Sequence, residues 1–160
     1  MDGAEAVSTP LATSDKLLPA QSGIATVDVT QYRHLLGLLQ YLVITKPDVS
    51  YAVNRLSQFM HMLTKVHWQA AKRLLRYLKG MVYHGLYLRA GQPLSLSVYM
   101  DADWGGCIAS GRSTTAYLLY LGTNLVSWKS TRQKSVSRSS TEAEYRALAN
   151  AVQKFCGLRI

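Results

Sequence analysis

The chain is poor in acidic residues, and the few that it has are unevenly placed. Nine Asp and Glu stand against eighteen Lys and Arg in 160 residues, so the formal net charge is +9. No acidic residue occurs between Val49 and Met100. A basic surplus of this size is typical of proteins with a polyanionic partner such as nucleic acid. The same surplus is also compatible with a role in solubility alone.

Cysteine and long apolar runs are scarce too. Cys107 and Cys156 form no Cys-x-x-Cys motif, which predicts reduced thiols in an intracellular chain and argues against a zinc site. No apolar run reaches the roughly 20 residues of a membrane span, and no secretory signal pattern begins the chain. We therefore expect an intracellular protein, cytoplasmic or nuclear, that is not secreted and has no membrane partner.

With 48% hydrophobic and 17% charged residues, the composition is that of a folded globular chain. Residues 1–30 are the exception, because small and polar residues with Pro10 and Pro19 predict a linker, an extended strap or a disordered segment. Apolar residues at three- and four-residue spacing then predict helices. These helices cover residues 30–43, 47–63 and 64–80, with Thr30 and Thr64 as N-caps and Gly80 just past the last helix.

The third predicted helix has a basic row that includes Lys72, Arg76 and Lys79, opposite an apolar face. Such a row either lines a phosphate backbone or is simply solvated. After Gly80 the apolar period falls to two, which is typical of strands. The predicted strands are 82–89, 94–101, 114–121 and 125–128, followed by a polar loop at 131–140 and a helix from Thr141.

Four of the nine acidic residues form two close pairs, Asp101 with Asp103 and Glu142 with Glu144. The first pair is predicted at a strand end and the second in the first turn of a helix. Carboxylates are the ligands that Mg²⁺ prefers, so the pairs suggest a metal site. Structural roles are the alternative: an Asp-x-Asp can be a solvated turn, and Thr141-x-x-Glu144 fits a helix capping box.

Six runs of sequence are YRHLLG at 32–37, KPDVSYAV at 46–53, LSQFM at 56–60, AAKRLLRYLKG at 70–80, DADW at 101–104 and SSTEAEY at 139–145. Together the runs cover roughly residues 30–160. In this order they resemble one family: the C-terminal part of the Pol polyprotein of copia-type LTR retrotransposons, where reverse transcriptase continues into ribonuclease H.

The resemblance implies an α/β, ribonuclease H-like mixed sheet that begins with three antiparallel strands. A helix then crosses back so that further strands can pair in parallel. It also implies three segments: a strap at 1–30, a helical segment at 31–81 that resembles the connection after reverse transcriptase, and the N-terminal half of a ribonuclease H-like domain at 82–160.

The family's reaction is hydrolysis of the RNA strand of an RNA–DNA hybrid. In a two-ion Mg²⁺ site one ion activates water and the other stabilises the leaving oxygen. By resemblance, Asp101 and Glu144 are the catalytic metal ligands, and Asp103 and Glu142 tune the charge of the site or cap backbone. The expected partners are an RNA–DNA hybrid or other nucleic acid and the remainder of the polyprotein. The expected nucleic-acid-binding residues are Lys72, Arg76, Lys79, Lys129, Arg132 and Lys134.

The sequence departs from the family after Glu144, because no Asp or Glu follows it. The family's next Asp-bearing strand and its last carboxylate would lie beyond Ile160. We therefore expect Asp101 and Glu144 to hold at most one loosely bound Mg²⁺, and the chain as it stands to be inactive. Three hypotheses stay open: a nuclease that borrows ligands from another chain, a basic nucleic-acid-binding remnant without catalysis, and the product of an unproductive reading frame.

Overall fold

The computed structural model of the protein describes residues 3–12, 17–18 and 28–157. Parts of the predicted strap, residues 1–2, 13–16 and 19–27 with Pro19, lie outside the described residues, as does Ile160. The chain divides into two compact units, Met1–Gly85 and Leu86–Ile160. Each unit has its own buried core.

The first unit is helical. It contains α1 (Val29–Leu42), a short 3-10 helix (Pro47–Val49), α2 (Ser50–Ser57) and α3 (Lys65–Gly80). The N-cap of helix α1 lies two residues earlier than predicted, because the Asp28 carboxylate accepts the backbone N–H groups of Thr30 and Gln31 at 2.8 and 3.1 Å. The prediction of Thr30 as the N-cap was wrong, since a carboxylate two residues earlier takes the free amides of the first turn.

Two predicted helix ends also differ from the structure. Helix α2 ends at Ser57 and not at 63, although Phe59 and Leu63 in the following turns are still buried. The helix was predicted too long because the buried residues after Ser57 keep the apolar spacing of a helix although they lie in turns. Gly80 is the last residue of α3 and has no positive φ, so it does not play the left-handed role that was predicted for it.

The helical core is formed by apolar residues from all three α-helices. Two tyrosines of this core form hydrogen bonds through their hydroxyl groups. The Tyr32 hydroxyl donates to the Leu56 carbonyl at 3.0 Å, and burial raises the pKa of Tyr32. The Tyr77 hydroxyl donates to the Asp48 carboxylate at 2.6 Å, which raises the pKa of Tyr77 to about 12. Fully or nearly fully buried members of this core are Tyr32, Leu36, Leu39, Val49, Ala52, Val53, Leu56, Ala70, Ala71 and Leu74.

The described parts of the predicted strap pack on this helical unit. Leu17 is buried in its core, and Val7 and Leu11 pack against it. The Arg73 guanidinium donates to the Thr9 hydroxyl at 2.8 Å.

The second unit is a three-stranded antiparallel sheet followed by a helix. Its strands are β1 (Leu96–Cys107), β2 (Arg112–Leu121) and β3 (Asn124–Arg132), in the order β1-β2-β3, and α4 (Ser140–Gly157) follows them. The chain is therefore α/β, with the antiparallel strands and the following helix that were expected. Cys107 is buried and Cys156 is exposed, and neither forms a disulfide bond.

Helix α4 packs on one face of the sheet through small residues. Ala143 and Ala147 of α4 contact Ala102 of β1, and Ala151 contacts the core around Tyr117 and Leu119. Three alanines on successive turns present only methyl groups to the sheet, so the helix can lie close to the strands.

The predicted strand over residues 82–89 was wrong. In the structure a turn over 81–83 is followed by irregular chain. Tyr83 is fully exposed and Tyr87 is 80% exposed, so the alternating apolar residues have no sheet face to cover. Arg89 alone is tied to the sheet, because its backbone N–H and C=O bond the Asn124 side-chain amide, each at 2.8 Å.

A buried histidine sits at the start of α3. The His67 side chain is fully buried and stacks on Phe59 with ring centroids 4.2 Å apart. Its Nδ1 atom accepts the Thr64 backbone N–H at 3.0 Å, which completes a capping box at the predicted N-cap. Burial lowers the pKa of His67, and the nearby Leu18 backbone opposes this shift in part.

We predict that the helical unit loses stability as the pH falls below about 6.5, the ordinary pKa of histidine. The unfolded chain takes up a proton there that folded His67 resists, so the contribution is complete above that pH and declines below it. The free energy of unfolding, measured by urea titration, should fall by at most about 1.4 kcal/mol per pH unit from this group.

His67→Gln is the matched control, because Gln at this position can still serve the capping box but does not titrate. The variant should lose this part of the pH dependence whatever its absolute stability. An unchanged pH profile in the variant would contradict the prediction.

Candidate carboxylate site and basic groove

Asp101 lies in the middle of β1, not at a strand end as predicted, because the strand continues to Cys107. It pairs with Ala116 across the sheet. The predicted phase is confirmed: Leu96 and Val98 pack in the core under α4, whereas Tyr99 and Asp101 are exposed on the other face. A mid-strand position paired to β2 gives the carboxylate a rigid backbone.

Glu144 lies in the first turns of α4 and is half-buried. The predicted capping box with Thr141 was wrong, because the cap lies two residues earlier. The Ser139 hydroxyl accepts the Glu142 backbone N–H at 3.1 Å, and the Glu142 carboxylate accepts the Arg138 backbone N–H at 2.7 Å. The structural role considered for Glu144 therefore belongs to Glu142.

Asp101 and Glu144 are each next in sequence to an alanine, and these two alanines are in contact. Ala102 follows Asp101, Ala143 precedes Glu144, and these two alanines pack together. The two carboxylates thus stand on neighbouring elements, with Asp101 on the face of the sheet that α4 does not cover. Residues 3–12, 17–18 and 28–157 contain no group of three or more His, Cys, Asp or Glu able to hold a metal.

Asp103 caps backbone. The register of β1 and β2 breaks between Asp103 and Cys107, where Gly105 has a φ of +67° and bulges the strand. The Asp103 carboxylate turns back and accepts the backbone N–H of Thr114. Gly106 lies directly against this carboxylate, with no room for a Cβ atom.

Glu142 caps backbone as well and also pairs with a cation. Its carboxylate receives the Arg138 N–H and contacts the Arg146 guanidinium at 2.6 Å. The Arg138 hydrogen bond and then the charge of Arg146 hold the pKa of Glu142 below its usual value. The capping role expected for Asp103 and Glu142 is thus what their contacts show.

Gln133 is a residue that the sequence analysis missed. Its side-chain amide is buried and donates to the Thr115 hydroxyl and to the Ala143 carbonyl, both at 3.0 Å. Its carbonyl oxygen accepts the Ser137 hydroxyl at 2.8 Å. Gln133 therefore ties the start of α4 to β2. A glutamine in a polar loop carries no pattern by which this role could have been found.

Three of the six predicted nucleic-acid-binding residues lie together. Lys129, Arg132 and Lys134 line a cleft of about 490 Å³ with Arg146 in the second unit. Arg132 also places its guanidinium 3.8 Å from the Cys107 sulfur.

The other three, Lys72, Arg76 and Lys79, lie on α3 in the first unit. Lys72 sits over the Trp68 ring, 5.5 Å from its centroid, and Lys79 donates to the Ala4 carbonyl at 3.1 Å. No helix in the described part of the chain is long and apolar enough to cross a membrane.

The second unit thus defines an α/β protein in which an antiparallel sheet and the helix after it each carry a candidate metal-binding carboxylate. The chain is similar to retrovirus-related Pol polyproteins from transposons. It is 54% identical over 97% of its length to the polyproteins of transposons RE1 and RE2 of Arabidopsis thaliana, and it spans about 11% of their length.

Other relatives are of different sizes. The polyprotein of transposon TNT 1-94 of Nicotiana tabacum is 37% identical over 99% of this chain, which covers 12% of that protein. The secreted RxLR effector protein 161 of Plasmopara viticola is 44% identical over 81% of this chain, which covers 92% of that protein. No family model and no solved structure matches the chain.

We predict that Gln133→Leu lowers the free energy of unfolding by about 2 kcal/mol, because the change leaves buried hydrogen-bonding partners on Thr115 and Ser137 unsatisfied. Urea denaturation followed by circular dichroism measures it. Gln153→Leu is the matched control, since Gln153 is exposed on α4 and its replacement should change stability by less than about 0.5 kcal/mol. Equal effects of the two substitutions would contradict the role of Gln133.

We predict that Gly106→Ala is also destabilising, by about 2 kcal/mol, because its methyl group displaces the Asp103 carboxylate from the Thr114 amide. Thermal unfolding measures the effect. Gly157→Ala serves as the control, because nothing lies within 4 Å of a Cβ atom there. The prediction fails if Gly106→Ala is as stable as the wild type.

Proposed function

We propose that this chain is the part of a copia-type Pol polyprotein where reverse transcriptase continues into ribonuclease H. In this proposal the polyprotein's reaction is Mg²⁺-dependent hydrolysis of the RNA strand of RNA–DNA hybrids. The chain contributes Asp101 and Glu144 to the metal site. The observation that carries the proposal is that one carboxylate stands on β1 and the other on the helix that packs over β1. Homology to transposon Pol polyproteins supports it.

The chemistry expected at this site is electrostatic. A bound Mg²⁺ would supply an activated water and a counter-charge for the leaving oxygen. Asp101 and Glu144 would hold the ion through carboxylate oxygens, with water completing its coordination. Asp103 and Glu142 are not assigned as Mg²⁺ ligands, because both carboxylates already accept backbone N–H groups.

We propose further that the chain by itself does not complete this reaction. Two described carboxylates supply fewer anionic ligands than a two-ion site requires. The second candidate function, a basic nucleic-acid-binding remnant without catalysis, is favoured by the cationic cleft of the sheet unit. Metal binding distinguishes the two, because only the first assigns an ion to Asp101 and Glu144. Both place the protein inside the cell, which stays a prediction.

We predict that the wild-type chain binds a single Mg²⁺ weakly and that Asp101→Asn and Glu144→Gln each abolish this binding. The reason is that each amide replaces a charged ligand by a neutral one. Titration calorimetry with Mg²⁺ measures it, and a labelled RNA–DNA hybrid incubated with Mg²⁺ should yield no more product with wild type than with Asp101→Asn.

Glu5→Gln is the control, because Glu5 is exposed in the first unit and its loss should leave metal binding unchanged. Absence of metal binding by the wild type would refute the metal role and leave the remnant hypothesis. Cleavage by the wild type but by neither site variant would show a complete site within this chain and overturn the claim of inactivity.

A further inference from the structure

Helix α4 leaves part of the sheet uncovered. It packs against β1 and β2, so the inner face of β3 beyond them stays open. Lys129 and Thr131 of β3 lie on this face, opposite Tyr117 and Thr115 of β2. The open strip of sheet and the side of α4 form the two walls of a groove, the cleft of about 490 Å³ described above.

The groove is lined by cations and small polar residues and by no acidic residue. Arg146 is already ordered there, because its guanidinium pairs with Glu142 at 2.6 Å and donates to the Ser135 carbonyl at 3.2 Å. An ordered guanidinium loses little conformational entropy when it binds an anion. The full lining is Thr115, Lys129, Thr131, Arg132, Gln133, Lys134, Ser135, Arg146, Ala149 and Asn150.

This lining suits a sugar-phosphate backbone better than a base. It holds no aromatic side chain on which a base could stack. Lys, Arg, Ser, Thr and Asn are the side chains that usually contact phosphate oxygens, and such contacts set position without reading sequence. We propose that the groove between β3 and α4 binds the phosphodiester backbone of a nucleic acid strand without sequence preference.

The groove and the carboxylate site lie on different flanks of α4. Glu144 and Arg146 are two residues apart, which is about 200° around a helix. Arg146 lines the groove beside β3, and Glu144 follows the alanine that contacts β1. This inference rests on nucleic acid as the partner in the proposed function and needs no catalysis, so the two proposals can fail separately.

The test is binding of a fluorescein-labelled RNA–DNA hybrid by fluorescence anisotropy in EDTA, where no metal-dependent step can occur. Lys129→Gln and Lys134→Gln should each weaken binding about five- to tenfold at 0.1 M salt, equally for hybrids of different sequence. Each should also reduce the slope of log affinity against log salt by about 1.

Lys154→Gln is the matched control, since Lys154 is an exposed lysine of α4 that does not line the groove. It should bind as the wild type does. Equal losses in all three variants would mean a diffuse charge effect and overturn the groove, as would unchanged binding in both groove variants.

The Asp101→Asn variant separates this proposal from the previous one. It should keep hybrid affinity while losing Mg²⁺ binding. Circular dichroism spectra matching the wild type are required of every variant, and the double variant Lys129→Arg/Lys134→Arg should retain affinity because it keeps both charges. Loss of affinity in this double variant would contradict a purely electrostatic groove.

Discussion

The sheet unit depends on the close contact of α4 with the sheet through alanines. Ala143 and Ala147 meet Ala102, and a larger side chain at any of these positions would push helix and strand apart, a change that typically costs about 1–3 kcal/mol. This contact sets the height of α4 above β1. It therefore determines how near the Asp101 and Glu144 backbones come, and also how much of β3 is left uncovered.

Hydrogen bonds fix the start of α4, next to the alanine contact with β1. Gln133 links the Ala143 carbonyl to Thr115, and Ser139 and Glu142 satisfy the free backbone amides at the helix start. The same acid that caps the helix also orders Arg146. In each close pair of acids, one carboxylate accepts a backbone N–H group: Asp103 in the first pair and Glu142 in the second. The other members, Asp101 and Glu144, are the candidate metal ligands.

Much of the architecture follows from local pattern. The phase of β1 placed Asp101 on the outer face, β2 begins and ends close to its predicted positions, and Thr64 caps α3. Strand β3 begins close to its predicted start but continues past 128 to Arg132, into the predicted loop. The failures came where long-range contacts decide. Residues 82–89 alternate like a strand but pair with no strand of the sheet. The cap of α1 is a local exception, because the Asp28 carboxylate, two residues before Thr30, takes the free backbone amides.

The sequence by itself determined the scarcity of acids, the two close carboxylate pairs and the helix and strand periods, because these depend only on neighbours along the chain. It also carried the resemblance on which the metal-site prediction rests. Only the tertiary structure decided which acid of each pair caps backbone, and that Gln133 anchors α4. The groove between β3 and α4 is likewise a product of strand register and helix placement, which bring together residues from separate elements.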